Sequence, residues 1–494
     1  MTNAQPIPEI PDTAICEAAR LSRDARFDGL FFTAVTSTGI YCRPVCPAPS
    51  PKPSNVRYYA NAAAAEAAGF RPCLRCRPEL SPADGAWRRG DTLVARALKL
   101  LENDLSGESS LDDLSSRLAV GSRQLRRLFV ERLGVSPIDV RTTQRLLFAK
   151  QLLTETAMPV TEVAMASGFG SLRRFNAAFA KANRIAPREL RRRPRSAAGE
   201  PLVLRLGYRP PYDLSALLQF LSGRALPGIE RVDERSYSRV FGPADRPGWL
   251  RITAWPGNEP ALKLELHCPD ATRILDVVSR LRRLFDLDAD PASIAAHFDS
   301  DPVLGPLVRR RPGLRLPGGW DGFEIAVRAI LGQQVSVAAA RTLATRLVDR
   351  YGAQLADPAI PGLDRLFPEP AALADVDLRT IGLTTSRAAT VNGMAAAVRD
   401  GRVDFRADRT LDDLVAHWTA LPGIGDWTAQ YLAMRALGHP DAFPAADLIL
   451  RRAASTDGIP LSTKALTTLA EGWRPWRAYA VMHLWRGSLD GANA

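Results

Sequence analysis

Four cysteines fall in two short-spaced pairs, Cys42-x3-Cys46 and Cys73-x2-Cys76, with 26 residues between the pairs. Each pair can turn two sulfurs toward one ion, and two pairs complete a tetrahedral zinc site. Such an ion can hold a small domain folded. The spacing fits a purely structural zinc and a reactive zinc thiolate equally well. Four thiolates around zinc carry excess negative charge, which keeps sulfur unprotonated and nucleophilic. Arg43, Arg71, Arg75 and Arg77 flank the pairs and are expected to hold a phosphate backbone. Cys16 and Cys268 stand alone and read as buried or inert. Toward the other end, Asp447 sits in DAFPAADLILRR. An acid there is either the N-cap of the following helix or a buried functional carboxylate. No His/Asp/Glu cluster with metal-ligand spacing accompanies it, and no lysine lies near enough for Schiff-base chemistry.

These residues need elements to position them. LPGIGDWTAQYLAMRAL, residues 421–437, follows the helical pattern LDDLVAHWTA. Gly423 and Gly425 permit a tight turn whose bare N–H groups can approach a phosphate closely. The whole resembles a helix-hairpin-helix, which grips DNA backbone without reading sequence. Residues 111–137 and 160–187 each pair a short helix, a small-residue turn and an arginine-bearing helix that ends before Ser-Pro or Ala-Pro. A tandem of helix-turn-helix motifs can place two helices in the major groove. Arg123, Arg126 and Arg127 lie on one such helix, and Arg173, Arg174 and Lys181 on the other. LVLRL, WLRITAW and LKLELHC, within residues 201–285, read as strands. From Asp321 onward the period is helical. The run from Arg191 to Pro201 reads as a linker.

The 494 residues suggest about three domains at roughly 150 each. Hydrophobic residues at 46% and charged residues at 24% are ordinary globular usage. Six cysteines in so long a chain exclude a disulfide-built secreted scaffold. Neither a signal peptide nor a membrane span is legible, so a cytoplasmic, nucleoid-associated location is expected. The formal charge is +12, and only six of 65 basic residues are lysine. That balance favours a polyanionic partner and suits bidentate phosphate contacts.

Three family resemblances follow from these motifs. TSTGIYCRPVCPAPS and NVRYYANAAAAEAAGFRPCLRCRPEL resemble the zinc domain of the Ada methyl-transfer regulators. The resemblance implies that Cys42, first cysteine of C-R-P-x-C, accepts a methyl group from a DNA phosphotriester, with Cys46, Cys73 and Cys76 as the other ligands of one zinc. Residues 91–193 resemble the AraC-type DNA-binding domain. Residues 201–494 resemble the AlkA alkylbase DNA glycosylases through GYRPPYDLSALLQFL, RLFDLDADP, RPGLRLPGGWDGFEIAVRAILGQQVSV and WRPWRAYAVMHLW. That resemblance implies Asp447 as catalytic carboxylate, Trp427, Tyr431 and Trp485 around the base pocket, and no glycosylase cofactor. Trp473 and Trp476 read instead as core.

Two departures stand out. Gln334 occupies the place of the family's apolar wedge, and Ala446 replaces an acidic neighbour of Asp447. No Pro-Cys-His-Arg motif occurs, so repair of O6-alkylguanine is not expected.

The expected architecture is a multidomain α+β chain. A zinc-bound α/β domain (1–85) and an all-α tandem helix-turn-helix domain (91–193) come first. An AlkA-like α/β subdomain (201–290) and an all-α helix-hairpin-helix glycosylase domain (291–494) follow. The expected partners are double-stranded DNA, as alkylated lesion and as promoter, and RNA polymerase. A competing expectation is a regulator whose AlkA-like region only binds DNA; a third is a glycosylase with a structural zinc.

Overall fold

In the computed structural model, residues 10–83, 92–103, 110–191, 200–455 and 459–492 are described. Most of the expected linker, 192–199, lies outside them. Two compact units emerge, one of residues 1–210, 255–279 and 287–290, the other of 211–254, 280–286 and 291–494. No helix among the described residues is long and apolar enough to cross a membrane.

In the first unit a four-stranded sheet is built from β1 (Phe32–Val35), β2 (Ile40–Cys42), β3 (Val56–Tyr59) and β4 (Arg71–Pro72), in the order β3-β1-β2-β4. β1 and β2 form a hairpin, with Gly39 at φ +64° in its turn. β2 and β4 run parallel, with Tyr41 opposite Pro72. Parallel pairing carries both strands out at the same end, so Cys42 and Cys73 leave the sheet side by side. Phe32, Ala34, Tyr41, Ala62 and Ala65 form the core beneath.

The helix-turn-helix pair follows its sequence signals closely. Ser110 and Asp113 make a capping box before the helix Leu111–Arg117, and Ser136 and Asp139 make another before Pro137–Glu155. The recognition-type helices are Ser122–Leu133 and Leu172–Asn183. Leu114, Leu118, Leu125, Phe129 and Leu133 close the first motif's core. In its turn the left-handed residue is Ala119 at φ +54°, while Gly121 is an extended N-cap. The same unit holds the antiparallel ladder of β5 (Leu202–Gly207) with β9 (Ala261–His267).

The second unit contains a meander of β6 (Glu230–Val232), β7 (Ser236–Phe241) and β8 (Gly248–Ala254). Around it are helices, of which Gly322–Leu331 is buried along almost its whole length. Leu411–Thr419 and Asp426–Leu437 flank the glycine hairpin. Gly423 is at φ +84°, and a Cβ there would meet Thr390 Oγ1 at 2.0 Å. The turn therefore requires glycine both for its dihedral and for packing.

Candidate thiolate centre and base pocket

The four cysteine sulfurs lie within 4.8 Å of one another. Zinc–sulfur bonds of about 2.3 Å set tetrahedral sulfurs about 3.8 Å apart, so this donor set fits zinc. Cys73 and Cys76 are each 6% exposed, whereas Cys42 and Cys46 are partly open. Backbone N–H groups donate to two of the sulfurs: Arg43 to Cys76 at 3.3 Å and Arg75 to Cys73 at 3.3 Å.

The flanking arginines divide, which corrects the expectation that all four hold phosphate. Arg43 is turned inward, giving Nε to Asp28 at 2.9 Å and Nη1 to the Cys76 carbonyl at 3.0 Å. Burial works against its charge, but Asp28 outweighs burial and holds the pKa above the ordinary value. Arg77, at φ +57°, pairs with Glu79 at 3.0 Å and Glu155 at 3.2 Å. Both build the loop. Arg75 remains exposed and Arg71 partly so. Arg123, Arg126, Arg127, Arg173, Arg174 and Lys181 all project into solvent from the two recognition-type helices. Cys16 is fully buried, and Cys268 partly so.

In the second unit Asp447 is a helix N-cap, and the same carboxylate also meets the expected aromatics. Its Oδ1 caps the helix Leu448–Ala453, accepting from the N–H groups of Ile449 and Leu450 at 3.0 Å each. The Trp427 indole donates to Oδ2 at 3.1 Å, and the Trp485 indole to Oδ1 at 3.3 Å. Trp427 stacks on Tyr431 with centroids 5.2 Å apart and planes 13° off parallel, and Tyr431 meets Trp485 at 6.4 Å. The expected carboxylate and three expected aromatics are thus one cluster. Trp473 and Trp476 are core, at 0% and 8% exposure.

Gln334 is exposed at φ +56°, with Val335 and Val337 also open to solvent beside it. Gln333 was not anticipated. Its amide reaches the Gly423 carbonyl at 3.0 Å and Thr428 Oγ1 at 3.1 Å, while Arg387 donates to its backbone carbonyl at 2.6 Å. Arg224 and Arg435 were also missed. Arg435 donates Nη1 to the Tyr431 hydroxyl at 2.8 Å. The four-residue spacing on one helix could have signalled that contact; nothing local marks Arg224.

A thiolate centre, tandem helix-turn-helix motifs and a hairpin with its carboxylate define a modular DNA-acting protein. Comparisons with known proteins agree. Residues 15–79 match the metal binding domain of Ada, 114–193 a helix-turn-helix domain, 203–321 the AlkA N-terminal domain, and 327–478 the HhH-GPD superfamily of base excision DNA repair proteins. A probable bifunctional transcriptional activator/DNA repair enzyme AlkA of Mycobacterium tuberculosis (strain CDC 1551 / Oshkosh) is 39% identical over 476 residues, 95% of each chain. DNA-3-methyladenine glycosylase 2 of Escherichia coli (strain K12) is 35% identical over 285 residues, 57% of this chain and 95% of its own. The bifunctional transcriptional activator/DNA repair enzyme Ada of the same strain is 43% identical over 117 residues, 24% of this chain and 32% of its own. The chain belongs to the family of bifunctional AlkA-type transcriptional activator/DNA repair proteins.

Proposed function

We propose that this protein excises alkylated bases such as 3-methyladenine from DNA by hydrolysing the N-glycosidic bond. The observation that carries the reading is Asp447, fixed by two indole N–H groups and a helix N-terminus at the edge of an aromatic stack. A base flipped out of the duplex would lie against that stack, and a cationic base is attracted by its π-faces. As the bond from C1′ to the base nitrogen breaks, its electron pair leaves with the base, which departs neutral. Positive charge moves to the sugar, where the Asp447 carboxylate stabilises it and orients the attacking water. Gln334 fills the gap left in the duplex, and Gly423 and Gly425 hold the backbone. The product is free base and an intact abasic site, with no cofactor in this step. Base release from methylated DNA by wild type and by Asp447→Asn tests this, and equal rates would remove Asp447 from the mechanism.

The thiolate centre supports a second activity in the same chain. Cys42, Cys46, Cys73 and Cys76 would hold one zinc ion, which would keep their sulfurs unprotonated. Cys73 and Cys76 are buried and each accepts a backbone N–H, which leaves Cys42 and Cys46 as the partly open sulfurs, and the resemblance of the C-R-P-x-C motif to Ada assigns the acceptor role to Cys42. Its attack on a phosphotriester methyl forms an S–C bond and breaks the C–O bond, whose electron pair stays on the phosphate oxygen. The thioether carries one negative charge fewer beside DNA, so promoter affinity rises and RNA polymerase is recruited. Peptide mapping after a methyl donor should place the methyl on Cys42; a methyl elsewhere overturns the assignment.

A further inference from the structure

Behind the aromatic stack the second unit gathers buried and half-buried guanidinium groups whose charges are unevenly matched. Arg239 pairs with Glu324 and lies 3.5 Å from Glu230. Arg328 reaches both Glu230 and Glu324 at 2.9 Å. Two carboxylates thus serve two arginines. Arg435 is 3% exposed and gives Nε to the Pro317 carbonyl at 2.5 Å and Nη2 to the Gly318 carbonyl at 3.1 Å. Arg224 lies over the Phe220 ring at 3.7 Å, with Nη1 on that residue's carbonyl at 3.2 Å. Among the described residues neither Arg224 nor Arg435 forms an ion pair with a carboxylate. Arg435 reaches the Tyr431 hydroxyl instead, at 2.8 Å, and the Arg224 charge acts on the same phenol.

Unpaired buried charge is costly, and a guanidinium rarely relieves it by losing a proton. The group at the point of convergence that can answer is the phenol. We propose that Tyr431 works as a phenolate held by Arg435, with the Arg224 charge nearby, and that its negative charge makes the pocket select cationic over neutral bases. Burial alone raises the Tyr431 pKa, but Arg435, Arg224 and then Arg328 outweigh it and hold it below the ordinary phenol value. Burial in turn pulls Arg224 down to about 10. The charged groups around Tyr431 come from its own helix (Arg435), from just beyond Leu214–Ser222 (Arg224), from Gly322–Leu331 (Arg328, Glu324) and from β6 (Glu230). Asp447 is one indole removed, bonded to Trp427 and Trp485.

The consequence is chemical. Two unbalanced guanidiniums would repel the cationic alkylpurine that the glycosylase reading requires. Loss of the phenol proton to solvent cancels one of them, and enriches the face stacked on Trp427 with electron density. A neutral base gains nothing from this.

The inference rests on the glycosylase reading, and two measurements on the full chain keep the two apart. The first is absorbance at 295 nm during a pH titration of wild type and of Tyr431→Phe. Wild type should show one additional tyrosine ionising below pH 10, and Arg435→Gln should move that transition upward. The second is KM and kcat for duplexes carrying 3-methyladenine, a cation, or hypoxanthine, a neutral base, between pH 6.5 and 9. Tyr431→Phe should raise KM about tenfold more for the cationic base than for hypoxanthine, and flatten the pH dependence of the ratio between bases. Superimposable titrations below pH 10 overturn the phenolate. An equal KM change on both bases overturns the selectivity. A wild type that releases neither base removes the glycosylase reading and the selectivity with it, while the titration still decides the ionisation.

Discussion

Asp447 combines a helix cap with contacts to the aromatic cluster, so the cap does not exclude the catalytic role proposed for it. Its carboxylate caps a helix and accepts two indole N–H groups. The cap fixes the backbone, while the indoles fix the direction in which the remaining lone pairs point. Trp427→Phe preserves a stacking face but deletes one donor. We expect turnover to fall by about tenfold, in line with losing one hydrogen bond to a charged group. DNA binding should stay within twofold. An unchanged single-turnover rate would show that the Trp427 bond does not set the carboxylate's geometry. The arginines teach the opposite lesson. Arg43 and Arg77 look like phosphate ligands in the sequence because residue type and position say nothing of direction. Their partners, Asp28 and Glu155, stand 15 and 78 positions away, and only the fold brings them in.

At the scale of elements, the signals that proved legible were local. Capping residues, proline at N1, apolar helical spacing and short cysteine pairs each report on neighbours in sequence, and the two helix-turn-helix motifs form where those signals place them. What the sequence did not disclose were bonds between elements. Gln333 ties the turn bearing Gln334 to the glycine hairpin through the Gly423 carbonyl, 90 positions on. Gln333→Ala should leave the fold intact yet lower base release by about tenfold, since small misplacements near a reacting centre are costly in rate. Wild-type turnover in that variant would make the tie incidental. The helix Arg477–Ala492 offers a pH test. Burial lowers the His483 pKa from 6.5 to about 4, so its neutral form is the one that folds. Stability is therefore complete above pH 6.5 and is lost as pH falls toward 4, by roughly 3 kcal/mol at pH 4. His483→Gln should flatten that acid limb in denaturant titrations followed by tryptophan fluorescence; an unaltered limb would assign it to other groups.

Across the whole molecule, the residues of the two proposed activities fall in different compact units. Every cysteine of the thiolate centre lies within residues 1–210, and Asp447, Trp427, Tyr431 and Trp485 all lie within 291–494. Among the described residues the four cysteines are the one cluster of His, Cys, Asp or Glu side chains placed to hold a metal ion. This separation makes zinc removal a decisive experiment on the intact chain. A zinc-bound core of so small a sheet depends on its ion for stability, because metal binding and folding share one free energy. Chelation should release about one zinc per chain, abolish methyl transfer and expose the 1–83 region to proteolysis. Base release should persist within about twofold in the same sample, because the proposed step asks only for the carboxylate and the aromatic stack. A parallel loss of both activities would mean that the glycosylase site depends on the thiolate centre. Retention of both would mean that the cysteines hold their geometry without an ion, and the thiolate chemistry assigned to Cys42 would then have no source of activation.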